Sequence, residues 1–252
     1  MSRIDTIFSG DKKALMPFLV AGYPTIESTE DAIIAMDEAG ADIIEIGIPF
    51  SDPIADGPVI AAAMHQALQK GVTPAHAIGV VSRIRDRVSA GLVAMVSESI
   101  VHRSGGSVFL DRLVEAGFDG VIIPDIDDLD AETMSAYCSG CGLTFSMLVS
   151  PTTPPNRIEW LASFSTGFLY VLARVGLTGE QAAPPDITKR IAEIRALTNL
   201  PLAVGFGIST REHVESVTQT ADAAIVGSAL VRRMSTTDNP AAAARDFVRE
   251  LS

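Results

Sequence analysis

Short apolar runs recur along this chain at intervals of about 30 residues, the length of one strand–helix–strand unit, and that repeat limits the fold more than any other feature. The runs are Leu15 to Val20, Ile43 to Ile48, Leu92 to Val96, Gly120 to Ile123, Thr144 to Val149, Phe168 to Leu172, Leu202 to Phe206 and Ala223 to Val226. Rich in Val, Ile, Leu and Phe and nearly continuous in hydrophobicity, they read as strands buried on both faces, the pattern of a parallel sheet covered by helices.

Between the runs lie segments whose apolar residues fall three or four apart: Ser28 to Glu38, Pro58 to Lys70, Val108 to Glu115, Arg157 to Ser163, Ile187 to Thr198 and Arg211 to Thr218. Glu38-Ala39-Gly40-Ala41-Asp42 and Glu115-Ala116-Gly117-Phe118-Asp119 punctuate the repeat alike. Each reads as a helix stopped by a glycine and a short turn into the next strand. Such alternation builds either an open doubly wound sheet or a closed barrel. The eight strand candidates, with no G-x-G-x-x-G after the first, point to a closed α/β barrel of one domain spanning residues 1–252.

Charge narrows the partners. With 31 acidic and 19 basic residues the net charge is −12, which repels nucleic acid and anionic membrane surfaces. The start of the chain has no leader-like apolar run, and no stretch approaches the roughly 18 apolar residues of a membrane span, so the expected location is the cytoplasm. Cys138 and Cys141 form a lone C-x-x-C pair with no second pair to complete a zinc site, and read as reduced bystander thiols. His65, His76, His102 and His213 are scattered, and no metal site is expected from their spacing. Trp160 falls in an amphipathic stretch and reads as packing, and no lysine lies in a strand candidate to form a Schiff base.

In a closed barrel the chemistry sits at the carboxyl ends of the strands. The second strand delivers Glu45 there, inside an apolar run, and continues into a stiff segment, Pro49-Phe50-Ser51-Asp52-Pro53-Ile54-Ala55-Asp56-Gly57-Pro58. Burial of Glu45 would raise its pKa towards neutrality and suit it to proton transfer; a structural carboxylate paired with a cation is the other reading. A rigid loop can hold a carboxylate in place, which favours Asp56 as the functional residue and Asp52 as a loop or cap hydrogen-bonding group. Gly205-Phe206-Gly207-Ile208-Ser209 and Gly227-Ser228-Ala229-Leu230 end the last two strands. Such glycines let backbone amides approach a phosphate at a helix N-terminus, or simply make tight turns. Arg174 to Pro185, with Gly176, Thr178 and Gly179, reads as a lid or as a surface loop.

Ile46-Gly47-Ile48-Pro49-Phe50-Ser51-Asp52-Pro53-Ile54-Ala55-Asp56-Gly57-Pro58, together with Pro17 to Pro24, Arg174 to Gly179 and Ala203 to Ser209, closely resembles the tryptophan synthase alpha subunit family over nearly the whole chain. The resemblance implies a TIM (β/α)8 barrel that cleaves 1-C-(indol-3-yl)glycerol 3-phosphate to indole and D-glyceraldehyde 3-phosphate. It implies Glu45 and Asp56 as catalytic residues, Tyr170 and Thr178 at the active site, and Gly179, Phe206, Gly207, Gly227 and Ser228 around the phosphate. Phe18 and Ile60 would wall the indole. No cofactor is expected in this subunit. The expected partner is a pyridoxal phosphate-dependent beta subunit, in an alpha2beta2 heterotetramer, which receives the indole.

Two segments depart from the family pattern. Met95 to Val101 lacks the tyrosine and asparagine usual after the third strand, and Pro124-Asp125-Ile126-Asp127-Asp128, after the fourth, has Asp127 where a proline usually follows the aspartate and one hydrophobic residue. Both regions line the site or face the beta subunit in the family. Other readings are a different phosphosugar barrel enzyme of aromatic or histidine biosynthesis, which would not need the rigid segment after Pro49, or a regulatory subunit that binds the ligand without turnover.

Overall fold

The computed structural model describes residues 2–10, 12–53, 56–174, 187–205 and 207–252. Among them run the parallel strands β1 (Ala14–Val20), β2 (Ile43–Gly47), β3 (Gly91–Met95), β4 (Gly120–Ile122), β5 (Thr144–Ser146), β6 (Leu148–Val149), β7 (Leu169–Leu172), β8 (Leu202–Gly205) and β9 (Ala223–Val226). Neighbours follow the order β5-β4-β3-β2-β1-β9-β8-β7-β6. The fifth expected strand is interrupted at Met147: its first half pairs with β4 and its second with β7. Met147 itself accepts a hydrogen bond from the Tyr170 N–H at 3.0 Å, so the ring closes into the expected eight-unit barrel.

The helices are α1 (Arg3–Phe8), α2 (Ile26–Glu38), α3 (Pro58–Gln69), α4 (Pro74–Ile84), α5 (Glu98–Arg103), α6 (Ser107–Ala116), α7 (Asp128–Cys141), α8 (Pro155–Phe164), α9 (Thr188–Arg195), α10 (Arg211–Thr218), α11 (Ser228–Ser235) and α12 (Pro240–Leu251). All six segments of helical period are helices. Gly40 and Gly117 adopt φ of 101° and 93°, where a side chain would be strained, and end α2 and α6 as their positions predict. The segments of helical period do not include α1, α4, α5, α11 and α12. For α4 the signal was present: Thr73 caps it and Pro74 starts it.

Side chains alternate along each strand and so divide the core. Leu15, Leu19, Ile44, Ile46, Leu92, Ala94, Leu169, Val171, Leu202 and Val204 point outward into the layer shared with the helices. Met16, Ile43, Val93, Ile122, Phe168, Tyr170, Ala203 and Ile225 fill the barrel. α1 plugs the floor: Ile4 is fully buried in that interior cluster, and Phe8 stacks near Phe168 with ring centroids 5.9 Å apart.

The same end is laced by three aspartates, each just before a strand. Asp42 accepts from the Leu15 N–H at 2.9 Å and pairs with Lys12. Asp119 accepts from the Leu92 N–H at 2.8 Å and pairs with Arg3 at 2.6 Å and Arg85 at 3.0 Å. Asp222 accepts from the Leu202 N–H at 2.8 Å and pairs with Lys13 and Arg195. Each carboxylate ties its own strand to the start of a neighbour, which gives the Asp after the glycine turn its physical purpose. Asp119→Ala leaves the half-buried Arg85 without its carboxylate and should cost about 2–4 kcal/mol. Denaturant unfolding measures this, and Asp119→Asn, which keeps an acceptor for Leu92, should lose less.

Candidate active site

The inward positions change character towards the carboxyl ends of the strands. Above Ile43, the next inward residue of β2 is Glu45; its neighbour across the β1 ladder is Phe18. β7 brings Tyr170 to the same interior. One step higher stand Gly47 and Gly205, the inward positions of β2 and β8, and Gly227 just after β9, and the missing side chains make the space. A Cβ on Gly47 would stand 2.6 Å from Phe18 Cζ, and one on Gly205 would stand 2.7 Å from Tyr170 Oη. Gly227 lies under Phe18 and Ile60, 3.4 and 3.6 Å from where its Cβ would be. The two expected indole-wall residues, Phe18 and Ile60, therefore meet Gly227, expected at the phosphate, at one corner of the mouth.

Glu45 is fully buried, and neither carboxylate oxygen has a hydrogen-bond partner among the described residues. The alternative of a Glu paired with a cation is set aside, because neither oxygen meets a cation among the described residues. Burial, and secondarily the charge of Asp56, push its pKa up to about 8. Asp56 is less enclosed, and burial raises it only to about 6. The Tyr170 hydroxyl is driven well above its usual value by burial and by the charges of Glu45 and Asp56. Near neutrality Glu45 is therefore a neutral acid and Asp56 an anion, two carboxyls with their roles separated by environment.

Asp56 stands where the loop after β2 turns into α3. Its N–H donates to the Pro53 carbonyl at 3.1 Å, and Gly57 and Pro58 start the helix immediately after it. It borders a cavity of about 300 Å³, with Ile48, Phe50, Met64, Met95 and Pro124 among its apolar walls. Asp52, expected to make a loop or cap bond, lines this cavity. So do Ser97 and Asp125 from the two departing segments: the Ser97 hydroxyl donates to Asp125 at 2.7 Å, and the Glu98 N–H donates to the same carboxylate at 2.8 Å. No histidine or cysteine borders the cavity.

Elsewhere at the mouth, Gly207 has φ of 83° just after β8, and Gly227 caps α11, whose first residue is the buried Ser228. The first turn of a helix has amides without intrahelical partners, so this corner offers N–H donors to an anion. Thr178, Gly179 and Phe206 lie outside the described residues, as does the lid reading for the segment after Arg174. Away from the mouth, Cys138 is a free, buried thiol pushed up to about 12 by burial, which fits a bystander. Trp160 lies 4.9 Å from Phe164, edge to face, beneath the Arg157 guanidinium.

The family model for the tryptophan synthase alpha chain matches residues 5–251. The chain belongs to that family. Named relatives include the tryptophan synthase alpha chain of Chloroflexus aurantiacus, 40% identical over 100% of this chain and 97% of that relative. That of Prochlorococcus marinus is 40% identical over 92% of this chain and 86% of its own. Among solved structures, Mycobacterium tuberculosis tryptophan synthase superposes with a TM-score of 0.91 at 32% identity, covering 99% of this chain and 96% of that one. A mutant alpha subunit from Pyrococcus furiosus gives 0.89 at 32% identity, covering 95% and 98%. Membership makes this a lyase of tryptophan biosynthesis, carrying the tryptophan synthase alpha reaction.

The site positions least visible in the sequence are the bare ones. Gly47 and Gly205 stood in quoted motifs, but the need for them is steric and appears only when Phe18 and Tyr170 are seen lying over them. The buried carboxyl has a consequence for stability. The folded chain holds the Glu45 proton up to about pH 8, while the unfolded chain releases it near 4.5. The contribution is fully present below pH 4.5 and is lost as pH rises towards 8. Glu45→Gln removes this loss, so its stability relative to the parent should rise by a few kcal/mol across that window, offset by a pH-independent cost of about 1–3 kcal/mol for burying the amide. Urea unfolding of both proteins across the pH range reads it; a gap that stays constant would contradict the assignment.

Proposed function

We propose that Glu45 and Asp56 carry out the retro-aldol cleavage of 1-C-(indol-3-yl)glycerol 3-phosphate to indole and D-glyceraldehyde 3-phosphate. The observation that carries this reading is the pair of carboxyls set apart in acidity, Glu45 at about 8 and Asp56 at about 6. Breaking the bond between indole C3 and the glycerol chain requires a proton on C3, a stabilised positive charge at the ring nitrogen, and loss of a proton from the hydroxyl on the departing carbon. Neutral Glu45 donates to C3. Anionic Asp56 accepts a hydrogen bond from the ring N–H and stabilises the indolenine cation as it forms. As the carbon–carbon bond breaks, its electron pair restores the aromatic ring, and the hydroxyl proton passes to the Glu45 carboxylate, which ends the cycle neutral again.

Phe18, Ile60 and Tyr170 bound the space the indole would occupy, and the amides at Gly207, Gly227 and Ser228 favour the phosphate. Backbone donors and a helix N-terminus hold an anion without lysine or arginine, which reconciles a phosphate ester with a chain of net charge −12. Thr178, Gly179 and Phe206 complete this reading as substrate contacts. The chain needs no cofactor for these steps; a partner beta subunit bearing pyridoxal phosphate would take up the indole, in an alpha2beta2 assembly in the cytoplasm.

The assay is indole release from indoleglycerol phosphate with a beta subunit present. Glu45→Gln should lower kcat by at least about 100-fold, the usual loss when a general acid is removed, with the fold intact by circular dichroism. Near-parental turnover would sink the proposal. The parent's kcat/KM should fall below pH 6, where Asp56 gains a proton, and above pH 8, where Glu45 loses one.

A further inference from the structure

Beside the mouth of the barrel, outside the site described above, three side chains from two helices converge. Glu98 and His102 stand one turn apart on α5, and Asp130 reaches them from the first turn of α7. The His102 Nε2 lies 3.2 Å from Asp130 Oδ2 and 3.6 Å from Glu98 Oε1. One donor atom from each residue lies within 4.8 Å of the others. Metal–ligand bonds of about 2.1 Å in a tetrahedral shell place neighbouring donors about 3.4 Å apart, so both measured edges match such a shell.

Charge balance points the same way. Two carboxylates face a single imidazole, and even a protonated His102 would leave the group one negative charge in excess. The nearby guanidinium of Arg157 is taken by Asp128 through two hydrogen bonds, and no other ion pair reaches Glu98 or Asp130 among the described residues. A divalent cation with neutral imidazole and two carboxylates sums to zero. Glu98 is also held in place: its Oε1 accepts the Asp127 N–H at 3.1 Å, the kind of outer contact that fixes a ligating carboxylate.

We propose that Glu98, His102 and Asp130 form a binding site for a divalent transition ion of the zinc type, with water completing the shell. A mixed nitrogen and oxygen donor set selects such an ion over magnesium or calcium. Histidine spacing alone does not reveal the site, because two of its three ligands are carboxylates and the third residue comes from another helix. The ion would tie α5 to α7, and so join the two loops that carry Ser97 and Asp125 to the cavity wall.

The test uses the full chain freed of metal by a chelator, titrated with Zn2+ by calorimetry and melted with and without it. One Zn2+ should bind per chain and raise Tm, since an ion bound only by the folded state stabilises it. His102→Ala should weaken binding at least about tenfold and remove the rise in Tm. Glu98→Gln, which keeps an acceptor for the Asp127 N–H, should weaken it similarly, while His65→Ala on α3 should leave it unchanged. Co2+ should give visible ligand-field bands in the parent that His102→Ala lacks. Zn2+ binding that is absent, or equally tight in His102→Ala, would overturn the proposal and leave the triad an ion-pair network only.

Discussion

The costliest feature of this molecule is an unpartnered carboxyl at the top of its core. Burying an ionised group without a counter-charge is prohibitive, so Glu45 takes a proton instead, and its acidity weakens to about 8. The surroundings keep it that way. Period-two alternation turns Glu45 into the barrel, the β1 ladder sets Phe18 beside it, and β7 brings Tyr170 to the same interior. Bare glycines at the next level let both rings lie over the strand ends. Asp56, on a loop outside the barrel proper, keeps more contact with water and an acidity closer to ordinary. One chain thus presents a proton donor and an anion together at neutral pH.

The two ends of the barrel divide the work. At the floor, Asp42, Asp119 and Asp222 are satisfied by backbone amides and cations, and α1 closes the interior with Ile4. At the mouth, polar groups are left with bonds to make: the Glu45 oxygens, and the leading amides of α11. Carboxylates are paired at the floor, and at the mouth one is not. Among 31 acidic residues, this contrast sets the buried, unpaired Glu45 apart from the paired aspartates of the floor.

Much of the barrel was legible in the sequence because its strands are hydrophobic throughout and its turns are punctuated by glycine. Each of the eight apolar runs holds a strand, although the fifth breaks at Met147, a local ladder defect that no apolar pattern encodes. Of the helices that the apolar pattern does not mark, α5 holds only six residues, and its role comes from caps and clasps to the loop before α7. Glu45 and Asp56 were legible as candidates because a carboxylate inside an apolar run and another in a proline-rich loop both call for a reason. The clasp of Ser97 and Glu98 on Asp125 was not, since it joins residues 27 and 28 positions apart on loops whose meeting only the closed sheet determines. The same holds for Gly47 and Gly205, whose meaning is the volume they leave for a ring from another strand.

The central claim is that the fold keeps Glu45 protonated at neutral pH, and the carboxyl can be observed directly. Carbon-13 NMR of protein labelled at glutamate side-chain carboxyls, with the resonance assigned by its loss in Glu45→Gln, titrates this group alone. The account predicts a midpoint near pH 8 and a neutral acid at pH 7. A midpoint near the ordinary 4.5 would mean that the carboxylate is ionised in its buried site, and would contradict the division of roles between Glu45 and Asp56.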